Sequence, residues 1–259
     1  MNSPAQSAGA TWHSGTVGRT RLVAHASLHD ALAECVRLHG TLHRWAATVP
    51  QPQALQGRGV VYVASIPGHT DVVAVRHAWH GGLFAPLTGD RFFMPTRAPR
   101  EAAVSATLQA RGVRTPEVLA YALYPAGPGL RRVDVCTRFV PDAWDFGAVL
   151  AGHAATIARP IAERAVIRLL AQLAREGVLH PDLNVKNILL VPTTGRETID
   201  AWLLDVDVVE FRTTPARQLL ALNLARLERS IRKWHSRHDR ALDETWLAGF
   251  LASAVAAAT

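Results

Sequence analysis

The stretch that most restricts this chain's fold is His180-Pro181-Asp182-Leu183-Asn184-Val185-Lys186-Asn187, continued by Ile188-Leu189-Leu190 and, after a polar turn, by Leu203-Leu204-Asp205. Two apolar runs of strand length joined by a turn segment read as a hairpin. A hairpin returns the chain, so Asp205 at the end of the second run comes back to the loop that precedes the first. An acid, an amide five residues on and a second acid then share one end of the hairpin. Turn and capping roles alone rarely place three polar residues at matched positions around two apolar strands.

The rest of the chain supplies a scaffold large enough to hold such a loop. Its 259 residues, 49% apolar and 19% charged, suffice for one large domain or two lobes and argue against general disorder. A net charge of +7 favours an anionic partner: a nucleotide, an acidic glycolipid, a membrane surface or a nucleic acid. Nearly all of that charge is Arg, since Lys occurs only at Lys186 and Lys233. No recognition-helix or aromatic-stacking motif accompanies the charge, so no nucleic-acid partner is expected. Cys35 and Cys136 stand far apart without Cys or His companions, which argues against a disulfide framework or a zinc site. Residues 1–15 lack the basic and apolar regions of a signal peptide, and Leu247–Ala258 is too short to span a bilayer. A cytoplasmic protein, with attachment to a membrane surface left open, is the expectation.

Periodicity and punctuation order the elements. Thr16–His25 reads as a strand, and Ser27–Ala46 as an amphipathic helix interrupted at Gly40. Strands follow at Gln56–Ala64 and Thr70–His77, then a helix from Pro99 to Arg111 stopped by Gly112. Two more strands, Pro116–Tyr124 and Arg132–Phe139, flank the Pro125–Gly129 turn. Helices are expected at Asp145–His153, Pro160–Glu176, Gln218–His235 and Asp243–Ala258. This gives an α+β fold with a mainly β N-terminal lobe and a mainly α C-terminal lobe. The expected division is an N-terminal extension at 1–50, a nucleotide-binding lobe at 51–139 and a catalytic lobe at 140–259, with a cleft near Thr137–Trp144.

Kinase-like folds assemble a phosphoryl-transfer site from the constellation at 180–205. In that reading Asp182 accepts the proton of the attacking hydroxyl, and Asn187 and Asp205 hold magnesium. Asp207 is the rival to Asp205. On the nucleotide side, Gly57-Arg58-Gly59 opens a hairpin whose backbone can approach the phosphates of ATP, with Tyr62 where a third glycine usually stands. Val72-Val73-Ala74-Val75-Arg76 has the outline of the strand that carries the phosphate-pairing Lys, and the first 185 residues contain no Lys at all. Arg76 is the candidate to clamp phosphate through its guanidinium fork, with Glu101 as the ion-pair partner that holds it.

Residues 56–235 together resemble the bacterial 3-deoxy-D-manno-octulosonic acid (Kdo) kinases of the lipopolysaccharide kinase family, which have a protein-kinase-like fold. The likeness rests on Gly57-Arg58-Gly59, Val75-Arg76-His77, Gly81-Gly82-Leu83, Gly89-Asp90-Arg91-Phe92 and Arg100-Glu101. It continues through the loop at 180–190, Leu204-Asp205-Val206-Asp207, and Asn223-Leu224-Ala225-Arg226-Leu227-Glu228-Arg229-Ser230. The family also uses Arg at the position of Arg76. The chain departs from it at His80, Pro181, Val206 and Val208, and two of these usually carry Arg. The resemblance implies an ATP- and Mg2+-dependent kinase acting on a Kdo hydroxyl of a lipid A precursor. Alternatives are another small acceptor, such as heptose or an aminoglycoside, and an inactive kinase-like scaffold. The short segment between Asp205 and the next helix leaves no room for a long peptide-docking activation loop, which favours a sugar or glycolipid acceptor over a protein. Peripheral contact with anionic membrane is expected through Arg226, Arg229, Arg232 and Lys233, which recur at helical spacing.

Overall fold

The computed structural model describes residues 11–49, the backbone of 53–56, and residues 59–79, 89–154, 156–193 and 198–257. Two compact units emerge. One comprises the chain to Ala102 together with Glu117–Phe139, and the other Ala103–Pro116 together with Val140 onward. The chain passes between the units at 139/140, as in the expected division, and the departure is the segment 103–116, which belongs to the second unit. Val104, Leu108 and Val113 carry 103–116 into the second unit because their apolar side chains are buried in its core.

The first unit is an eight-stranded antiparallel sheet. In chain order its strands are β1 (Trp12–Val17), β2 (Thr20–His25), β3 (Gln53–Gln56), β4 (Val60–Ser65), β5 (Val72–His77), β6 (Phe92–Phe93), β7 (Val118–Pro125) and β8 (Leu130–Arg138). They lie side by side as β1-β2-β7-β8-β5-β4-β3, with β6 also paired to β8. The single strand expected at Thr16–His25 is a hairpin instead. Gly18 adopts a φ of 58°, open to glycine without steric cost, and Val17 pairs with Thr20. The strand expected at Gln56–Ala64 is β4, which starts at Val60, and β3 ahead of it was not expected.

Helices α1 (His29–His39) and α2 (Leu42–Thr48) replace the one interrupted helix. The break falls at Gly40, φ 81°, and Thr41 caps α2 by accepting from Arg44 N at 3.0 Å. Leu28, Leu32, Cys35, Val36, Leu42, Trp45 and Ala46 share one core with Val73, Val75, Leu119 and Cys136. Residues 12–48, expected as a separate extension, are thus part of the first unit: two strands of its sheet and the cover of one face. On the other side Val23, Tyr121, Leu123, Val133 and Val135 pack with Ala98, at the start of helix α3 (Ala98–Ala110). Apolar positions at period two, buried on both faces, hold the strands in register.

The second unit is mainly helical. It contains β9 (Trp144–Asp145), α4 (Phe146–Leu150), α5 (Arg159–Arg175), β10 (Val178–Leu179), β11 (Ile188–Pro192), β12 (Ile199–Leu203), a 3-10 turn at Val206–Val208, β13 (Glu210–Phe211), α6 (Ala216–Arg237) and α7 (Glu244–Ala256). Asp145 and Asp243 cap α4 and α7, accepting from Ala148 N and Trp246 N at 2.8 and 2.9 Å. Leu169, Leu170 and Leu173 of α5 meet Leu220, Leu224, Leu227 and Ile231 of α6 and Leu247 and Phe250 of α7 in one core. The spacing of these residues makes α5 and α6 amphipathic towards that core, while α7 is apolar over most of its length. Among the described residues no helix is long and apolar enough to cross a membrane.

Candidate active site

The hairpin read from the sequence is present, with β11 and β12 antiparallel from Ile188↔Leu203 to Pro192↔Ile199. Pairing extends one step past the strands, since Leu204 N donates to Asn187 O at 2.9 Å. That bond places Asn187 at the end of one strand and Asp205 immediately after the end of the other. Two side-chain amides then shape the loop before β11. Asn184 Oδ1 accepts from Lys186 N at 2.9 Å and Asn187 N at 3.2 Å, an Asx-type turn. Asn184 Nδ2 and Asn187 Nδ2 both donate to Asp182 O, at 2.9 and 3.0 Å. The loop is folded back on the carbonyl of Asp182, and Asn187 is tied directly to it.

Burial fixes which way the acids face. Leu183, Val185 and Val206 are buried in the core, while Asp182 and Asp205 beside them are exposed. Asp205 sits in the left-handed region at φ 57°, ψ 48°. That conformation costs an L-residue roughly 1–2 kcal/mol, and Asp bears it better than most. Strain of this kind clusters at functional sites, although Asp142 and Asp239 also adopt it, at φ 56° and 48°. Because Asn187 commits its Nδ2 to Asp182 O, the oxygen Oδ1 is the atom left to serve a ligand. An amide oxygen and a carboxylate are the hard donors that Mg2+ takes, so the residues present fit that ion.

His180 closes the constellation from inside. It is fully buried, and its Nε2 lies 3.1 Å from Leu204 O, so that nitrogen carries the proton. Burial pushes its pKa below the ordinary value, outweighing the Leu204 carbonyl and the charges of Asp205 and Asp182. A neutral imidazole follows, which adds no positive charge beside the two acids.

Helix α6 holds the loop from behind through residues spaced i, i+3 and i+7. Asn223 Oδ1 accepts from His180 N at 3.0 Å and its Nδ2 donates to Val178 O at 2.9 Å. Arg226 Nε donates to Pro181 O at 2.8 Å, and Ser230 Oγ accepts from Val185 N at 3.1 Å. These positioning roles were not read from the sequence. The available signal was a polar Asn inside a Leu-rich helix, with polar residues one and two turns further along the same face. Arg226 is turned to the loop, and Arg232 is engaged by Glu228 and Glu244 at 3.0 and 2.6 Å. Two of the four basic residues expected to face a membrane therefore have partners within the protein.

In the first unit, Arg76 stands on the interior strand β5, opposite Val61 of β4 and Val135 of β8. Val73 and Val75 point into the core, so alternation turns Arg76 to the other face. There Arg76 Nη2 donates to Glu101 Oε2. Glu101 is only 8% exposed and Arg76 34%, so the pair is partly desolvated. Gly57 lies outside the described residues. Gly59 lies two positions before Val61, the cross-strand neighbour of Arg76, and a Cβ on it would meet the Trp79 ring at 3.1 Å.

Beside Arg76 is a network that sequence reading missed. Asp134 is fully buried and takes hydrogen bonds from His43 N and the Tyr124 hydroxyl, both at 2.9 Å. Its other oxygen lies 2.6 Å from His77 Nδ1, and His77 Nε2 lies 3.2 Å from Asp90, which Arg132 also holds at 2.5 Å. Burial alone would lower the His77 pKa, but the hydrogen bond and charge of Asp134, then those of Asp90, raise it.

Residues 43–246 match the Lipopolysaccharide kinase (Kdo/WaaP) family. The chain belongs to that family. A 3-deoxy-D-manno-octulosonic acid kinase of Actinobacillus succinogenes is 31% identical over 183 residues, 69% of this chain and 73% of its own. One from Vibrio vulnificus is 28% identical over 211 residues, 76% of this chain and 84% of its own. Among solved structures, that of WaaP in complex with acyl carrier protein aligns with 85% of this chain and 94% of its own, at 17% identity and a TM-score of 0.45. As a member of the lipopolysaccharide kinase family, the protein has a kinase-like α+β fold. The match begins at residue 43, so β1, β2 and α1 lie ahead of it.

Proposed function

We propose that this protein is an ATP- and Mg2+-dependent kinase that phosphorylates a hydroxyl of Kdo carried on a lipid A precursor. The observation that carries the reading is the pinned loop: Asp182 exposed, Asn187 tied to its carbonyl, and Asp205 following the paired end of β12. Membership of a lipopolysaccharide kinase family, and the name shared by its relatives in Vibrio and Actinobacillus, point to the same acceptor.

Each residue then has a chemical task. Asp182 accepts the proton of the acceptor hydroxyl as its oxygen bonds to the γ-phosphorus and the bond to the β–γ bridging oxygen breaks, releasing ADP. Asn187 and Asp205 would hold Mg2+, whose charge would offset that of the phosphates. Arg76, oriented by Glu101, takes the place of the phosphate-pairing lysine. Neutral His180 braces the end of β12 without competing for the anionic groups around it.

The test is ATP consumption and product analysis with a panel of acceptors: Kdo-bearing lipid A precursors, heptose, and aminoglycosides. Phosphate appearing on Kdo, and lost in a folded Asp182→Ala variant, is the expected result. Transfer only to another acceptor would move the reading within the kinase class. Full activity in Asp182→Ala would overturn the site.

A further inference from the structure

The loop at 180–187 carries a cation to which the proposed reaction gives no task. Of the 28 Lys and Arg residues only two are Lys, and one of them is Lys186, the residue before Asn187. Burial alternates along the loop: Leu183 and Val185 are buried, while Asp182 and Lys186 are exposed. The backbone on this side is pinned. Val185 N donates to Ser230 Oγ at 3.1 Å, and Lys186 N to Asn184 Oδ1 at 2.9 Å. Asn187 Nδ2 donates to Asp182 O at 3.0 Å. The Lys186 side chain therefore starts one residue from the point where the loop closes on Asp182.

No carboxylate claims that charge. Among the described residues the Lys186 ammonium makes neither an ion pair nor a hydrogen bond, whereas Arg226 is turned to Pro181 O and Arg232 to Glu228 and Glu244. Asp145, at the end of β9, feels Lys186 only at a distance. Burial raises the Asp145 pKa, and the Ala148 N–H it accepts at 2.8 Å, then the charge of Lys186, act against that rise. Asp145 is committed as the cap of α4. Asp182 and Asp205 meanwhile set two exposed acids where an acceptor must approach, and His180 between them is neutral. An acidic sugar is repelled by such a surface unless a cation meets its own carboxylate. Lysine is a compact point charge on a flexible stem, suited to one carboxylate without the fixed fork of Arg.

We propose that Lys186 binds the carboxylate of the acceptor and so makes the site selective for sugar acids. The inference rests on the reading of Kdo, an octulosonic acid, as the acceptor. It adds a second point of attachment to the hydroxyl that meets Asp182, and two points orient a sugar where one does not. It also ranks the other acceptors. A cationic aminoglycoside is repelled by Lys186, and a neutral heptose leaves the ammonium without a partner. The phosphates of ATP are the competing anion. Mg2+ at Asn187 and Asp205 would offset their charge, whereas Lys186 leaves the exposed side of the loop together with Asp182, to which the acceptor hydroxyl must come.

The experiment joins steady-state kinetics to equilibrium binding, with the full chain. The acceptors are a Kdo-bearing lipid A precursor and the same compound with the Kdo carboxylate converted to its methyl ester. The phosphates of the lipid A part are common to both. Lys186→Gln should raise KM for the acid about tenfold, the equivalent of roughly 1.4 kcal/mol. KM for the ester and for ATP should stay within about twofold of wild type. Lys186→Arg should recover most of the affinity for the acid, and Lys233→Gln on α6 should change nothing. An unchanged KM for the acid or an equal rise for the ester would overturn the proposal. So would a rise confined to ATP, which would put Lys186 on phosphate. Calorimetric titration of a water-soluble Kdo glycoside and its methyl ester separates this inference from the kinase reading, because it needs no transfer. Wild type should prefer the acid, and Lys186→Gln should lose that preference. The same loss in a protein that phosphorylates no Kdo acceptor would leave the carboxylate site standing and end the Kdo kinase reading. Transfer to Kdo by a wild type that binds acid and ester alike would keep the kinase reading and end this one.

Discussion

Asn223→Ala tests whether α6 truly sets the geometry of the loop. Asn223 has no exposed surface, and its two hydrogen bonds serve His180 N and Val178 O. Truncation leaves a buried N–H and a buried C=O without partners, each costing about 1–3 kcal/mol, so the loss of stability is roughly 2–6 kcal/mol. Against a typical 5–15 kcal/mol this leaves a folded but weakened protein. His180 begins the loop that carries Asp182, and a displacement of about 1 Å at a reacting group can cost 100-fold in rate. A fall in kcat of about 10- to 100-fold is therefore expected, with KM for ATP changed much less. Asn223→Asp sharpens the test, because it keeps the acceptor for His180 N but sets a carboxylate oxygen against Val178 O. That variant should be less stable than Asn223→Ala at neutral pH and recover as acid protonates the new group, since the folded state then binds more protons than the unfolded one. Urea unfolding midpoints at unchanged slope, with steady-state kinetics, supply the readout. A shift below about 0.5 kcal/mol with kcat intact would refute the reasoning.

Four further outcomes follow. Arg76→Ala should lower kcat/KM for ATP by roughly 10- to 1000-fold, because it removes a charge-assisted contact and strands the buried Glu101; an unchanged value would make Arg76 a scaffold residue. Asp205→Ala should abolish turnover in a folded protein, whereas Asp207→Ala should not, and the reverse would shift the metal-binding position by two residues. Because the His77 pKa is raised in the folded state above its ordinary 6.5, its stabilising contribution is complete below pH 6.5 and lost as pH rises through the raised value. The stability gap between wild type and His77→Gln should accordingly shrink from pH 6 to pH 9, and a constant gap would argue against the Asp134 and Asp90 clamp. Gly177 has φ 71° and an added Cβ would lie 2.6 Å from Arg212 O, so Gly177→Ala should lower the melting temperature by at least about 5 °C; no change would mean that the turn relaxes.

The parts of the fold that were legible are those dictated by local rules. Apolar alternation gave β5, β7 and β8 to within a few residues, and Pro160 with Gly177 bracketed α5 because one fits a first helical turn and the other tolerates positive φ. What local rules cannot supply is the partner of an apolar face. Leu28, Leu32, Leu42 and Trp45 announce an amphipathic segment, yet nothing in their spacing says that the face covered is that of the sheet carrying Arg76. The same limit explains 103–116. Its helix is readable from Pro99 to Gly112, but Val104, Leu108 and Val113 commit its later turns to a core whose other residues begin at Phe146, far downstream.

The site divides along the same line, and Arg226 shows why. Asp182, Asn187 and Asp205 were readable because a hairpin makes their relation local: five residues of loop, then one strand out and one strand back. The groups that hold the loop lie on α6, and only tertiary packing decides which face of a helix meets the loop. At helical spacing Arg226, Arg229, Arg232 and Lys233 form one basic row by sequence, and a row of like charges reads naturally as a surface for an anion. Packing breaks the row. Leu224, Leu227 and Ile231 pull one side of α6 into the core, and that rotation carries Asn223 fully under the loop, Ser230 to Val185 and Arg226 to the carbonyl of Pro181. A buried backbone carbonyl needs a donor, and Pro181 has no N–H of its own to contribute to the turn, so a guanidinium from the helix meets a need the loop itself created. Charge at this position therefore serves the geometry of the catalytic loop.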